Sequence, residues 1–162
     1  MKSKQLILGF VIGIFSGAII CFLLVGRKAM ANNSFTNKNK SAANYPDSLD
    51  GVIADPENHK VVFENDKVRI LEVIGAPYAV EPVHTHRWTS VMWAADSNFA
   101  KSKLIYYHCG YDSIKKTFYV KDSILESGPP PNRGFQIPPE GLHRVTSLSD
   151  KPITAYRVEF KN

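Results

Sequence analysis

Hydrophobic and polar positions divide the chain into three stretches of different character. Leu6 to Val25 is a run of twenty residues without a charge, which at about 1.5 Å rise per residue spans the roughly 30 Å of a bilayer core. Residues 29–50 are dominated by Asn, Ser, Lys and Ala and have little to bury, which is typical of a flexible tether. From residue 51 onward, short apolar segments alternate with turn residues. We therefore predict a membrane segment within residues 1–28, a linker at residues 29–50 and a folded domain at residues 51–162.

The apolar N-terminal run fits two alternatives, an uncleaved anchor or a signal segment that is removed. Lys2 and Lys4 precede the run, and the small residues within 29–31 resemble a signal cleavage site. The length of the run and the charges of Arg27 and Lys28 favour an anchor instead. The prediction is a single-pass membrane protein whose domain lies outside the cytoplasm, in the periplasmic or extracellular space. If the segment is cleaved, the domain is secreted.

The folded domain has the pattern of an all-β protein. No stretch after residue 50 keeps apolar residues at helical spacing for three turns. Short segments rich in Val, Ile, Tyr and Phe predict strands at residues 61–63, 68–73, 90–94, 103–107, 116–120, 134–137, 143–148 and 153–160. About eight or nine strands without helical spacers favour a β-sandwich or small barrel and exclude a parallel α/β sheet.

Two parts of this domain allow finer predictions. In the last strand, Tyr156, Val158 and Phe160 share one face while Arg157 and Glu159 share the other, which predicts an apolar face on the core and a charged face in water. The region from residue 122 to residue 133 contains three consecutive prolines, and proline cannot donate to a ladder. This region is therefore predicted to be a loop over one mouth of the barrel.

Charge and cysteine usage narrow the classes of partner. The net charge of +5 is concentrated in residues 1–50, with six Lys/Arg against two Asp, whereas the domain carries fourteen against thirteen acidic residues. Without a basic block in the domain, a nucleic-acid surface is not expected. Cys109 is the single cysteine of the domain, so no disulfide can form within it. The expected partners are a membrane, through residues 6–25, and a small-molecule ligand.

A homodimer is an open alternative for the N-terminal segment and for an edge strand of the domain. Three glycines spaced four apart would lie on one helix face and let a second helix approach closely: Gly9, Gly13 and Gly17. Glycine is also common in membrane helices in general, so the spacing has a simpler explanation. An unpaired edge strand would offer a second route to a dimer.

Three histidines occupy positions from which their imidazoles can reach one metal ion. His84 and His86 are separated by one residue, and in a strand residues two apart point the same way, so both imidazoles can reach one metal ion. His143 follows a Pro-Pro-Glu-Gly turn that can deliver it to the same barrel mouth. Three neutral imidazoles would leave open coordination positions on a divalent ion such as Fe, Mn, Ni or Zn. The simpler alternative for the His-x-His pair alone is an exposed polar strand end.

These two motifs resemble those of the cupin superfamily, whose small jelly-roll barrels carry an early His-x-His element and a later Pro-x-Gly element followed by His. The resemblance covers roughly residues 55–160. It implies a double-stranded β-helix, or jelly-roll barrel, with a divalent metal on His84, His86 and His143. The chain departs from the pattern where cupins with four ligands place a Glu after the second His, because Ser90 and Val91 stand there.

Other residues are candidates for ligand binding. Trp88 has the same strand parity as the His pair and is predicted to form a pocket wall. Arg87 has the opposite parity, so it either clamps a substrate carboxylate or is a solvated charge. Arg133 is placed where it could face the barrel mouth.

The two remaining histidines are expected to be less important. His59 follows a turn that begins at Asp55 and is predicted to be exposed. His108 and Cys109 are neighbours in a strand and so face opposite sides, which predicts an edge histidine and a buried free thiol instead of a catalytic pair.

The leading hypothesis is a membrane-tethered or exported cupin-like barrel that binds a divalent metal and a small polar ligand. If it is an enzyme, open coordination sites favour metal-assisted oxygenation, isomerisation or hydrolysis. The sequence does not identify a general base, because Glu81 and Glu140 fall on predicted turns. Two alternatives remain, a non-catalytic ligand-binding or sensory barrel without metal, and a secreted structural β module without a pocket.

Overall fold

Residues 44–161 are the part of the chain that the computed structural model describes. Contacts divide the chain into two units, Met1–Asn37 and Lys38–Asn162, and residues 44–161 belong to the second. The predicted membrane segment at residues 6–25 lies outside the described residues. Among residues 44–161, no helix is both long enough and apolar enough to span a membrane.

Antiparallel strands account for most of the described chain. The nine strands within residues 44–161 are β1 His59–Glu64, β2 Val68–Gly75, β3 His84–His86, β4 Ser90–Ala94, β5 Lys103–Asp112, β6 Thr117–Ser127, β7 Phe135–Ile137, β8 Glu140–Ser147 and β9 Ile153–Phe160. They are accompanied by a 3-10 turn at Asp47–Leu49 and two short helices, α1 Gly51–Ala54 and α2 Ser97–Lys101. The predicted all-β class is confirmed.

The strands form two antiparallel sheets. One has the order β1-β2-β9-β4-β7 and the other the order β3-β8-β5-β6. The sheets pack face to face, since the ring of His59 on β1 lies 4.7 Å from that of His84 on β3. This double-sheet arrangement is the jelly-roll fold that the motifs predict.

One end of the barrel interior is apolar. Phe99, Ile153 and Ala155 are buried together and pack against partly buried side chains of Val73, Met92, Ala94 and Leu104. Phe99 is placed by α2, whose N-terminus is capped because the Asp96 carboxylate accepts from the backbone N–H groups of Asn98 and Phe99. This cluster supplies hydrophobic stabilisation to the fold.

The predicted orientation of β9 is wrong. Its buried residues are Ile153, Ala155, Arg157 and Glu159, whereas Phe160 is 42% exposed. The charged face turns inward because the barrel interior beyond Ala155 is polar and provides ion-pair partners for both charged side chains. Alternation shows which residues share a face, but a polar interior reverses the usual choice of the inner face.

The predicted loop at residues 122–133 is also wrong over its first half. β6 continues to Ser127 and pairs with β5 in a register that runs from Asp112 opposite Thr117 to Lys103 opposite Ser127. The strand ends at Ser127, and the next residue, Gly128, passes so close to α2 that a Cβ there would lie 1.6 Å from the carbonyl oxygen of Phe99. The prolines follow this point, so they do not interrupt the ladder.

Ordered structure begins before the predicted boundary at residue 51. Asp50 is only 3% exposed, and its carboxylate caps α1 by accepting from the backbone N–H of Val52. It also forms a parallel bridge to Thr85 in β3, whose hydroxyl donates to the carbonyl of Leu49. The segment before β1 is thereby attached to the strand that carries the His-x-His motif.

Candidate metal centre

The structure brings the three predicted histidines together inside the barrel. Their ring centroids are 5.2 Å apart for His84 and His86, 4.3 Å for His84 and His143, and 5.6 Å for His86 and His143. The cause is the pairing of β3 with β8, in which His84 lies opposite His143 and His86 opposite Glu140. The two sequence motifs are therefore hydrogen-bonded neighbours in one sheet, and all three imidazoles are buried.

A fourth imidazole joins the cluster, and its predicted exposure is wrong. His59 is only 3% exposed, and its ring lies 4.7 Å from that of His84 and 5.1 Å from that of His86. The backbone N–H of His59 donates to the carbonyl of Asp55, so the turn after α1 folds the first residue of β1 onto the opposite sheet. No local motif marks this residue, because its partners lie more than twenty positions away in the sequence.

All four imidazoles direct Nδ1 at an oxygen acceptor. The pairs are His84 with Pro82 O at 2.9 Å, His143 with Gly141 O at 2.8 Å, His86 with Glu159 Oε1 at 2.8 Å, and His59 with Asp55 O at 3.3 Å. Because these acceptors require a proton on Nδ1, the lone pair of each ring resides on Nε2. This arrangement orients metal-binding imidazoles in proteins and fixes their tautomer.

Burial disfavours protonation of three of these imidazoles. Loss of solvation lowers the pKa of His84 and of His86 well below the ordinary value, and the neighbouring imidazoles and Arg157 act in the same direction. Burial also lowers the pKa of His143, against the opposing charge of Glu140. His84, His86 and His143 are therefore in the unprotonated form that binds metal at neutral pH.

The donor atoms fall into overlapping groups of three, with all members of a group within 4.8 Å of one another. These groups are His59, His84 and His86; His86, Glu140 and His143; and Asp55, Glu81 and His84. The predicted triad is distributed over the first two groups, which share His86. Imidazole and carboxylate donors in such a setting suit a divalent metal ion.

Glu140, from the Pro-Pro-Glu-Gly turn, brings a carboxylate to the cluster, whereas the His-x-His motif has no Glu after its second His. It is the first residue of β8, and its Oε1 accepts from the Tyr106 hydroxyl at 3.2 Å while its Oε2 lies 2.7 Å from Nη1 of Arg157. Burial opposes its ionisation, but the Arg157 guanidinium and the His143 ring hold the pKa of this carboxyl below its ordinary value. The ring of Tyr106 also stacks on that of His143, with centroids 5.0 Å apart.

A buried ionic network contacts the Nδ1 side of the His86 ring. Glu159, which accepts from His86, is fully buried and also accepts from Nε of Arg69 at 2.6 Å. Arg69 in turn donates from Nη2 to Asp50 at 2.9 Å. This carboxylate–arginine–carboxylate series fixes the orientation of the imidazole, as outer-shell partners do in metal sites.

Two of the predicted ligand-binding residues, Arg87 and Trp88, contact other side chains of the domain. Arg87 pairs with Asp47 at 2.7 Å through Nη2 and lies 3.4 Å from Asp50 through Nε. The guanidinium carbon of Arg69 lies over the ring of Trp88, 4.7 Å from the centroid of that ring. Arg133 is exposed. Their roles in ligand binding stay predictions.

The His108–Cys109 pair behaves only partly as expected. Cys109 is free and 3% exposed, so the predicted buried free thiol is confirmed, and burial raises the pKa of this thiol. His108 does not lie at an edge, because β5 is between β8 and β6, where His108 is opposite His143 and Asp122. Its Nδ1 contacts the Asp122 carboxylate.

No family model matches the chain, and no curated protein matches it. Solved structures similar to it include a cupin domain from Bordetella pertussis Tohama I, at 16% identity and TM-score 0.48, covering 64% of this chain and 92% of that one. A cupin superfamily protein from Desulfitobacterium hafniense DCB-2 has 9% identity and TM-score 0.39, covering 64% and 76%. An RmlC-like cupin family protein with a double-stranded β-helix fold from Methanocaldococcus jannaschii has 7% identity and TM-score 0.42, covering 63% and 77%. At these identities the likeness concerns the fold alone. The two-sheet arrangement of the chain is the jelly-roll fold that its two histidine motifs imply.

Proposed function

We propose that the barrel binds one divalent metal ion through His84, His86 and His143, with His59 as an adjoining nitrogen donor, and holds a small polar ligand beside it. The observation that carries this proposal is the common orientation of four buried imidazoles, each with Nδ1 turned to an oxygen. A packing role would not require that every ring keep Nε2 basic. Burying several polar rings without a ligand would also cost stability.

The charges around the cluster fit a cation. Glu159 is fully buried and Glu140 is partly buried beside the imidazoles, and both contact the same guanidinium, that of Arg157. A divalent ion at the imidazoles would offset these carboxylates in a low-dielectric interior. The imidazole and carboxylate donors suit Fe, Mn, Ni or Zn.

Burial shifts the pKa of two side chains beside the cluster, Glu81 and Tyr106. Burial raises the pKa of Glu81 to about 7, and its Oε2 lies 4.0 Å from Nε2 of His84, so Glu81 is the group best suited to exchange a proton near neutral pH. Burial raises the pKa of Tyr106, which keeps its hydroxyl protonated and donating to Glu140. A bound divalent ion would supply Lewis acidity toward a ligand oxygen. With these groups the centre suits metal-assisted oxygenation, isomerisation or hydrolysis.

The cellular setting is part of the proposal. The charge-free run at residues 6–25 would tether the barrel to a membrane, with the domain outside the cytoplasm, or would be removed to release it. N-terminal sequencing of the mature chain from membrane and soluble fractions separates the two, since a chain that begins near residue 32 has lost the segment.

Metal content tests the proposed centre. The full chain is purified, loaded with Zn²⁺, dialysed and analysed by mass spectrometry, alongside His84→Ala and His143→Ala. We expect one ion per wild-type chain and a loss of bound metal in both variants. The matched control is His108→Ala, which removes a histidine that belongs to none of the three donor groups found in residues 44–161 and should retain the ion.

The same experiment addresses the alternative of a metal-free sensory barrel. Wild-type protein that binds no Zn²⁺, together with unchanged thermal unfolding of His84→Ala and His143→Ala, would support that alternative. Equal metal loss from the His108→Ala control would show that the ion is bound elsewhere.

A further inference from the structure

Arg157 is a buried arginine at the polar end of the barrel. It lies on the inner face of β9 and is only 4% exposed. Its Nη1 contacts Glu140 Oε2 at 2.7 Å, and Glu140 belongs to a donor group with His86 and His143. The guanidinium is therefore next to the proposed metal centre.

Two of the three nitrogens of this guanidinium have no hydrogen-bond partner. Both Nε and Nη2 are buried without an acceptor, and Oε1 of Glu159 lies 3.5 Å from Nε. That oxygen already accepts from His86. Nε and Nη2 form one edge of the guanidinium plane, the edge that binds a carboxylate through two parallel hydrogen bonds. An orphaned pair of charged donors in the interior costs free energy unless a ligand satisfies it.

The other buried arginine of this network differs in this respect. Arg69 is also 4% exposed, but its Nε donates to Glu159 and its Nη2 donates to Asp50. Its donors on the corresponding edge are thus fully used, whereas those of Arg157 are not. The contrast indicates that Arg157 has a partner from outside the chain.

The charges around Arg157 indicate whether that partner is an anion or a cation. Arg157 carries one positive charge against the two carboxylates of Glu140 and Glu159, so an anion would not be attracted to the metal-free site by net charge. A divalent ion on the neutral imidazoles would add two positive charges within this interior and would make the site favourable for an anion.

We propose that the Nε and Nη2 edge of Arg157 binds the carboxylate of a small anionic ligand beside the metal centre. The ligand class is then a small carboxylic acid, and the inference rests on the proposed metal-binding function. Arg157 takes the role that the sequence pattern offered to Arg87, whose guanidinium pairs with Asp47 instead.

Acetate and its neutral isostere acetamide are the probes for this site. Each is titrated by calorimetry into the full chain, both metal-free and loaded with Zn²⁺. We expect acetate but not acetamide to bind the loaded chain, and Arg157→Lys to weaken acetate by about tenfold or more because an ammonium cannot make the paired contact. The matched control is Arg144→Lys, whose guanidinium lies over the Tyr107 ring, 4.9 Å from its centroid, on the other face of β8 from His143. Its affinity for acetate should stay within about twofold of wild type.

The outcomes separate this proposal from the metal proposal. Acetate affinity that is equal in wild type and Arg157→Lys would overturn the carboxylate site, because the ion or the surface would then hold the anion. Absence of acetate binding to both forms of the chain would also overturn it, whatever the Zn²⁺ stoichiometry. If Zn²⁺ does not bind but acetate binds the metal-free chain in an Arg157-dependent manner, the carboxylate site stands and the metal centre fails.

A second measurement covers the case in which Arg157→Lys does not fold. The Nε–H resonance of Arg157 in the wild-type chain is assigned through its own side-chain carbons and followed during the same titrations. We expect acetate to shift this resonance more than that of Arg69. An unmoved Arg157 resonance at saturating acetate would contradict the proposal.

Discussion

The two ends of the barrel interior are built from the same strands but from opposite chemistry. On β9, Ile153 and Ala155 face the apolar cluster around Phe99, and two residues further Arg157 and Glu159 face the imidazoles. All of these side chains are nearly fully buried. Burial of the first pair stabilises the fold, whereas burial of the second carries a desolvation cost that ion pairs only partly offset.

This difference separates the residues that stabilise the fold from those that we propose bind a ligand. The polar end requires a series of buried ion pairs, from Glu140 through Arg157 and Glu159 to Arg69 and Asp50. An apolar interior would be no less stable, so stability alone does not explain the charges. We infer that the polar end is retained for binding.

The largest effect is expected from a truncation at the apolar end. Ile153→Ala should lower the free energy of unfolding by about 2 to 5 kcal/mol, because it opens a cavity beneath Phe99. Ile114→Ala is the matched control, since Ile114 is 92% exposed and the same truncation there should change stability by less than about 0.5 kcal/mol. Urea denaturation measures both. Equal effects at the two positions would show that the cluster around Phe99 is not the main core.

The polar end should make the stability of the metal-free chain depend on pH. The pKa values of His84, His86 and His143 are lowered on folding, so below about pH 6.5 the unfolded chain binds more protons than the folded chain. The free energy of unfolding should therefore fall as the pH is lowered from 7 to 5. Each histidine contributes a slope of up to about 1.4 kcal/mol per pH unit.

Glu81 acts against this trend and supplies its control. Its pKa is raised to about 7 in the folded chain, so its own contribution to stability grows as the pH falls through 7 toward its ordinary value. Glu81→Gln should steepen the loss of stability between pH 7 and pH 5, as measured by urea denaturation at a series of pH values. Stability that rises on acidification in both proteins would contradict neutral imidazoles in the folded state.

A smaller effect is expected where α1 contacts the imidazoles. A Cβ on Gly51 would lie 3.0 Å from Cε1 of His86 and 3.3 Å from Cδ2 of His59, so Gly51→Ala should displace both rings. We expect Zn²⁺ affinity to fall by about tenfold, the lower end of the effect of disturbing the support of a metal ligand. Competition with a chelating dye measures the affinity.

The control for this substitution is Gly134→Ala. A Cβ there would also meet its nearest atom at 3.0 Å, but that atom is Cγ1 of Val91 and not an imidazole. Its Zn²⁺ affinity should match that of wild type. A similar loss of affinity in both variants would point to a general disturbance of the fold.

Local sequence patterns predicted the features of this protein that depend on neighbouring residues. Alternation placed His84 and His86 on one face, and the recurrent short apolar segments gave the all-β class. The pairing of β3 with β8 then brought His143 opposite His84. These predictions required only the period of a strand and the resemblance of two motifs.

The missed features depend on contacts between distant residues. His59 reaches the site through a turn that no histidine motif marks, and the inward direction of Arg157 and Glu159 follows from a polar interior. Strand alternation cannot tell which of two faces is buried when the buried face is charged. The sequence offered Arg87 as a carboxylate clamp because it is next to the motif, whereas the proposal for Arg157 depends on its inward direction in β9.

X-ray absorption at the zinc edge of the Zn²⁺-loaded full chain identifies the ligands of the bound ion. We expect one ion per chain with nitrogen and oxygen ligands at about 2.0–2.2 Å and the multiple scattering of at least three imidazoles. His143→Ala should lose the ion or this imidazole signal. A first shell without imidazole scattering, or a chain that retains no Zn²⁺, would contradict a histidine-bound metal centre.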